Sequence, residues 1–332
     1  MLRLLHGTKY DFIKWWKHMA VLTVIWILIG TALVIGRKAA GGKAVNYSVE
    51  FTGGTLMQLK FAQPPQIDDI RKTVEEAGYG HAEIQQFGSA TEYTVRAQGV
   101  NVAAGDSTAK QIERALKTRY SDTGVTVLRR EYVGPRVGAE LRRNAIVAIL
   151  ISFVVTLIYL AIRFEWRFGL AAVVATAHDI LTTLAFIMML RLEVSLTVVA
   201  AILTVIGYSL NDTIIIFDRV RENLKKQRHE SLRDVLNRSI NETLPRSIMT
   251  HATTLAATVA LLLFAGEVIR PFSWVMTFGI FTGTFSSIYV AGALLLYIER
   301  KWPRGGGENK GTARALAEGR RRDRADSTLA AR

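Results

Sequence analysis

The sequence contains no cysteine. Disulfides, thiol catalysis and cysteine-based metal sites are therefore excluded. The polar segment at 37–143 also lacks a metal-spaced histidine cluster, a nucleophile constellation and a phosphate-cradling loop. Nothing in it asks for catalysis, and no cofactor or metal is expected. A docking role suits the segment better. The first apolar block, at 19–36, has no small-residue cleavage site at its end and follows a basic, aromatic stretch. It reads as a retained span rather than a signal peptide. Positive charge is scarce in one set of short connections, which hold only Arg191 and Arg270.

What is abundant is apolar sequence in long blocks. Half of the residues are hydrophobic (50%). They gather at 19–36, 144–162, 168–190, 194–217, 247–266 and 272–298, and crossing a bilayer takes about 20 residues. The expected fold is a polytopic α-helical membrane protein with six transmembrane helices and a small α+β domain between the first two. The net charge of +14 suggests nucleic acid at first sight. Its placement argues against that partner. Arg3, Lys9, Lys14 and Lys17 precede the first span. Arg163 and Arg167 separate the second and third. Arg219, Arg221, Lys225, Lys226, Arg228, Arg233 and Arg238 fill the 218–246 loop, and the 299–332 tail is richer still. Lysine and arginine favour the cytoplasmic side, so both termini are expected there and 37–143 outside.

Residues 1–18 place Phe12, Trp15 and Trp16 beside lysines, as an interfacial segment does. In the outer segment VNYSVEF and TLMQLKFA alternate apolar and polar around Gly53-Gly54, which predicts a hairpin. A helix, two strands, a second helix and a last strand follow. The order ββαββαβ predicts a small antiparallel sheet with helices on one face, ferredoxin-like in character. In the 218–246 loop, SLRDVLNRSINETL has helical spacing and predicts an amphipathic helix along the membrane surface. The tail after Pro303 is low in complexity and reads as disordered.

Asn211 and Asp212 interrupt the fourth apolar block. A carboxylate at the centre of a span costs about 2.5–3.5 kcal/mol on insertion scales. Such a group is paired, faces a bundle interior, or carries ions. Arg246 opens the fifth span and is the available cation, although a flanking arginine also snorkels to headgroups. Thr250 lies four residues on and shares its face. His178 and Asp179 form a second polar pair in the third span, fit either for a relay or for packing by hydrogen bonds.

Several stretches resemble the SecF family. They are VEFTGGT at 49–55, VGPRVGAEL at 133–141, FEWRFGLAAVVATAHD at 164–179, ILTVIGYSLNDTIIIFDRVREN at 202–223 and PRSIMTHATTLAATVALLLFAG at 245–266. The resemblance implies the membrane part of a resistance-nodulation-division-like half, completed by six spans of a separate SecD chain. It implies a proton-driven factor of the bacterial inner membrane, not an enzyme, that promotes late steps of preprotein translocation through SecYEG. It admits YajC and YidC as further partners. It places a proton relay on Asp212, Arg246 and Thr250, with Asn211, His178 and Asp179 as further relay or packing groups. Two other readings stand beside it: half of a small-molecule or lipid exporter of the related type, and a non-transporting assembly scaffold.

Overall fold

A computed structural model describes residues 7–80, 82–97, 105–121, 124–226, 230–266 and 268–303. Arg3, Arg228 and the tail after Pro303, each read above from sequence, lie outside the described residues.

Helix α1 spans Trp16–Ala39 and is apolar on every face. Most of its large side chains, among them Leu22, Ile25 and Leu28, are exposed, as a lipid-facing helix requires. One stripe packs on helix α6, Trp166–Met189. There Gly30 sits so close to Ala185 that an added Cβ would lie 2.6 Å from the alanine Cβ. Small residues permit such backbone approach between membrane helices.

The extramembrane domain follows. A helical turn, α2 (Val49–Thr52), leads into β1 (Gly54–Phe61), α3 (Ile67–Glu76), β2 (Glu83–Gln86), β3 (Glu92–Ala97), α4 (Gly105–Tyr120) and β4 (Val125–Val133). The sheet order is β2-β3-β1-β4 with every neighbouring pair antiparallel. This is the βαββαβ arrangement of the ferredoxin-like fold. Period-two alternation turns Met57, Leu59 and Phe61 of β1 inward, onto Ile70 and Val74 of α3 and Ile112 and Leu116 of α4. Each such side chain contributes about 1.5–3 kcal/mol when fully buried.

The expected first hairpin does not form. VNYSVEF ends in the α2 turn, and its one strand-like contact is a parallel bridge from Tyr47 to Val194. Gly53 and Gly54 lie at φ 71° and 118°, a region that costs other residues dearly. They hold the chain against helix α5, Pro135–Arg163, where a Cβ on Gly138 would come within 2.8 Å of the Gly53 nitrogen.

The bundle continues with α5 (Pro135–Arg163), α6, α7 (Leu196–Lys226), α8 (Leu232–Phe264), α9 (Arg270–Ser286), a π turn at Ser287–Ala291, and α10 (Gly292–Lys301). Counting α9 to α10 as one, six helices among the described residues are long and apolar enough to cross a membrane, and the chain is a multi-pass membrane protein. More than half (56%) of the apolar window of α6, α7 and α9–α10 is buried, against 11–17% in α1, α5 and α8. The first three are the core and the others its rim.

Helices extend further on the side of the termini than the sequence pattern suggested. Helix α7 runs to Lys226, and α8 begins at Leu232 and continues through Pro245, so the described residues of the 218–246 segment hold no separate surface helix. Ser231 caps α8, its hydroxyl accepting from the Asp234 N–H at 3.2 Å. The chain before α1 is seated on this extension. Asn241 exchanges two 2.9 Å hydrogen bonds with the Tyr10 backbone, Asn237 accepts from the Ile13 N–H at 3.1 Å, and Ile13 is buried.

At the opposite end, the α6–α7 connection binds the sheet domain. Val194 exchanges backbone hydrogen bonds with Asn46 and Ser48 at 2.7 and 2.9 Å. Arg96 on β3 pairs with Glu83 at 3.2 Å and with Glu193 of the connection. Glu50 of α2 accepts the Leu196 N–H at 2.7 Å, so a carboxylate of the domain caps the first turn of α7.

Candidate functional site

Two carboxylates are buried within the spans, Asp179 on α6 and Asp212 on α7. Close packing of α9 on α7 shapes the region around both. A Cβ on Gly279 would lie 2.3 Å from Val205 Cγ2, and one on Gly283 would lie 2.9 Å from Ser209 Cβ. The approach brings the hydroxyls of Ser286 and Ser287 into the bundle centre.

Asp179 is enclosed by donors. His178 Nδ1 lies 3.0 Å from one carboxylate oxygen. Ser209 of α7 and Ser286 of α9 donate to the other, the latter at 2.7 Å. The carboxylate thus ties three helices together. From Ser209 a seam of hydroxyls continues through Ser287, 3.4 Å from the Ser209 carbonyl, to Thr213, 2.9 Å from Ser287.

Asp212 lies midway along α7 and is 3% exposed. Its Oδ1 accepts from the Ser247 hydroxyl of α8, and its Oδ2 has no partner among the described residues. Ser247 and His251 are four residues apart and share the α8 face turned to α7. His251 is buried, and its ring meets Tyr208 edge to face at 5.3 Å. Its Nδ1 likewise has no partner among the described residues. Tyr208 donates to the Thr250 carbonyl at 2.9 Å and lies 2.9 Å from Thr254 Oγ1. Two rungs result: Asp212 with Ser247, and Tyr208 with His251.

The structure does not bring all the expected site residues together. Arg246 is exposed and makes no ion pair with Asp212 among the described residues. Its position is one residue before Ser247, about 100° around the helix. The Thr250 hydroxyl turns back to the Arg246 and Ser247 carbonyls at 3.0 Å. Asn211 is exposed on α7. Arg246, Thr250 and Thr253 of α8 and Thr204, Gly207 and Asn211 of α7 are all exposed, although they lie within spans. Such small and polar residues suit contact with another helix better than with lipid.

Ser209, Thr213, Ser247, His251, Ser286 and Ser287 escaped the reading of the sequence. A hydroxyl in a span usually bonds its own backbone, so composition alone does not single one out. The available signal was the Ser286-Ser287 pair three and four residues after Gly283.

Among the described residues no group of three or more metal-ligating side chains is present. A buried carboxyl with one unpartnered oxygen can take up and release a proton, and its charge state then alters its attraction to Ser247 and Arg246.

Residues 111–301 match the family described as protein export membrane protein SecD/SecF, C-terminal, and residues 39–65 match the SecD/SecF GG motif. The protein translocase subunit SecF of Gemmatimonas aurantiaca is 58% identical over 96% of this chain and 95% of its own length. That of Vibrio alginolyticus is 40% identical over 89% and 92%. The crystal structure of SecDF, a translocon-associated membrane protein, from Thermus thermophilus superposes with TM-score 0.79 at 36% identity. The match covers 90% of this chain but only 40% of that one, so this chain spans well under half of the SecDF polypeptide. The chain belongs to the SecD/SecF family of protein export membrane proteins, on its SecF side.

Proposed function

We propose that this chain is the SecF half of a SecDF complex that draws on the proton-motive force to promote late steps of protein translocation through SecYEG. The observation that carries the reading is Asp212, buried midway along a span with one carboxylate oxygen unpartnered. The exposed polar and small face of α7 and α8 supports a missing half-bundle, and a SecD chain is the partner that fits. Asp212 takes a proton from one side of the membrane and releases it to the other. Its change of charge acts on Arg246, and Thr250 joins the path once the partner covers that face. Asn211 lies on the same face. His178 and Asp179 hold the bundle centre. No chemistry on a substrate is involved.

The charge pattern supports the bacterial inner membrane as the location, with both termini cytoplasmic and residues 37–143 periplasmic. The preprotein emerging from the translocon is the cargo, and YajC and YidC are candidate neighbours. Movement reaches the outer domain through Val194 and through Glu50 at the start of α7.

The test is preprotein translocation into vesicles holding this chain and its SecD partner, with and without a proton gradient. Asp212→Asn is expected to remove the benefit of the gradient while the complex still assembles. Full benefit in the mutant would leave Asp212 a packing residue and favour a scaffold.

A further inference from the structure

The proposed cycle leaves the most unusual neighbour of Asp212 unused. His251 is a buried histidine within a span, 7% exposed, with a ring nitrogen that has no hydrogen-bond partner among the described residues. Asp212 carries the matching gap, an unpartnered buried oxygen. Leaving a buried polar atom without a hydrogen bond is costly, so two such atoms across one helix pair are not neutral packing. Ser247 fixes the relation of the two side chains: it holds Asp212 Oδ1 and lies one turn from His251 on the same face.

The direction follows from chain polarity. Helix α7 runs from the sheet-domain end toward the termini, and α8 runs back. Tyr208 precedes Asp212 on α7, so the Tyr208–His251 rung lies one turn, about 5.4 Å, nearer the sheet domain than the Asp212–Ser247 rung. A proton approaching from the sheet-domain side meets His251 first.

We propose that His251 is the entry-side proton donor to Asp212, an inference that rests on the reading of Asp212 as the proton-carrying group. In the transfer the Nδ1–H bond of the imidazolium breaks and an O–H bond forms on Asp212 Oδ2. The cation and the carboxylate become a neutral imidazole and a neutral carboxylic acid. The groups facing the imidazole are few. Asp212 and Tyr208 come from α7, and Arg246, Thr250 and Thr254 lie within a turn or so on α8 itself. Helix α9 brings no titratable side chain beyond Arg270 at its sheet-domain end. The other histidine turned into the bundle among the described residues, His178, is engaged with Asp179, 3.0 Å from its carboxylate.

Gradient-driven translocation by the complex with SecD tests this, followed as the pH on the sheet-domain side is varied. His251→Gln keeps a polar side chain of similar size but cannot carry the proton. It is expected to slow the gradient-dependent rate on the order of a hundredfold, the lower range for positioned proton transfer, and to flatten the pH profile where an imidazole titrates. His251→Ala supplies the second readout: added imidazole is expected to restore the rate, which it would not do for a residue that only packs. If Asp212→Asn is inactive while His251→Gln keeps the wild-type rate and profile, the donor role is overturned and the reading of Asp212 stands. Loss in His251→Ala without rescue by imidazole also overturns it. If Asp212→Asn retains the full benefit of the gradient, both fall together.

Discussion

Asp179 and Asp212 lie on neighbouring core helices, and each costs the bundle the burial of a carboxyl group. Their surroundings differ. Asp179 receives Ser209, Ser286 and His178 and joins α6, α7 and α9. Among the described residues Asp212 receives Ser247 alone, and it looks toward the thinly covered helix α8. A fully partnered buried polar group fixes one arrangement of its helices. A half-partnered one leaves a second arrangement within reach. The first carboxylate is a clamp, and the second sits where motion is possible.

That contrast is sharpest in stability. Asp179→Ala strips an acceptor from three donors, at about 1–3 kcal/mol for each group left buried and unpaired. The complex in detergent should lose several degrees of thermal midpoint or fail to assemble. Asp212→Asn keeps an oxygen for Ser247 and should unfold near the wild-type temperature. If the two variants unfold alike, the distinction between clamp and mobile site is gone.

Gly283→Ala tests the clamp from outside. Its Cβ would press on Ser209 and displace the hydroxyl from Asp179, an overpacking that costs about 1–3 kcal/mol. The loss should be absent when Ser209→Gly is combined with it, as a double-mutant cycle of thermal midpoints would reveal. Ser247→Ala removes the only donor to Asp212 among the described residues and should cost less, about 1 kcal/mol, while changing the pH dependence of gradient-driven translocation. Were Ser247→Ala as damaging to stability as Gly283→Ala, Asp212 would belong with Asp179.

The smallest expected effect lies at the domain contact. Burial holds the Glu193 carboxyl above its ordinary value of 4.5, with Arg96 opposing and Glu50, Glu131 and Glu83 adding to the rise. Burial also pushes Glu83 upward, but Lys43 and Arg96 outweigh it and hold that group below 4.5. A raised carboxyl binds its proton more tightly in the folded chain. Its stabilising contribution is present below 4.5 and is lost as pH rises through the folded value. Glu83 behaves oppositely, its contribution lost only as pH falls through its depressed value. Glu193→Gln mimics the protonated form, so its stability relative to wild type should grow as pH rises above 4.5, measured by thermal unfolding across pH. A difference independent of pH would mean that Glu193 is ordinary.

The apolar blocks and the ferredoxin-like domain were legible because they rest on local patterns: long uninterrupted hydrophobic runs, and alternation in TLMQLKF and EYTVRA. VNYSVEF misled because its alternation was real but its partner was remote. Tyr47 bridges to Val194, which a hairpin rule cannot anticipate. Asp212 stood out by its cost alone. Ser247 and His251 did not, since a serine or histidine in a span acquires its meaning from the facing helix. Arg246 attracted attention as a charge, and a single step along the helix turned it to the outer face.

The π turn at Ser287–Ala291 carries a spare residue in the last span. An α-helix advances 100° per residue, so the surplus resets the phase between the two halves of that span. Ahead of it, Gly283 and Ser286 are aimed at Ser209 and Asp179; beyond it, Leu295 and Ile298 are aimed into the cluster of Phe217, Val235 and Leu236. Deleting one residue within the turn would let the hydrogen bonds close into regular α-helix, yet it would swing one of these two faces out of the bundle. The sequence is therefore a residue long for a straight rod, and that excess lets one helix answer two differently oriented cores.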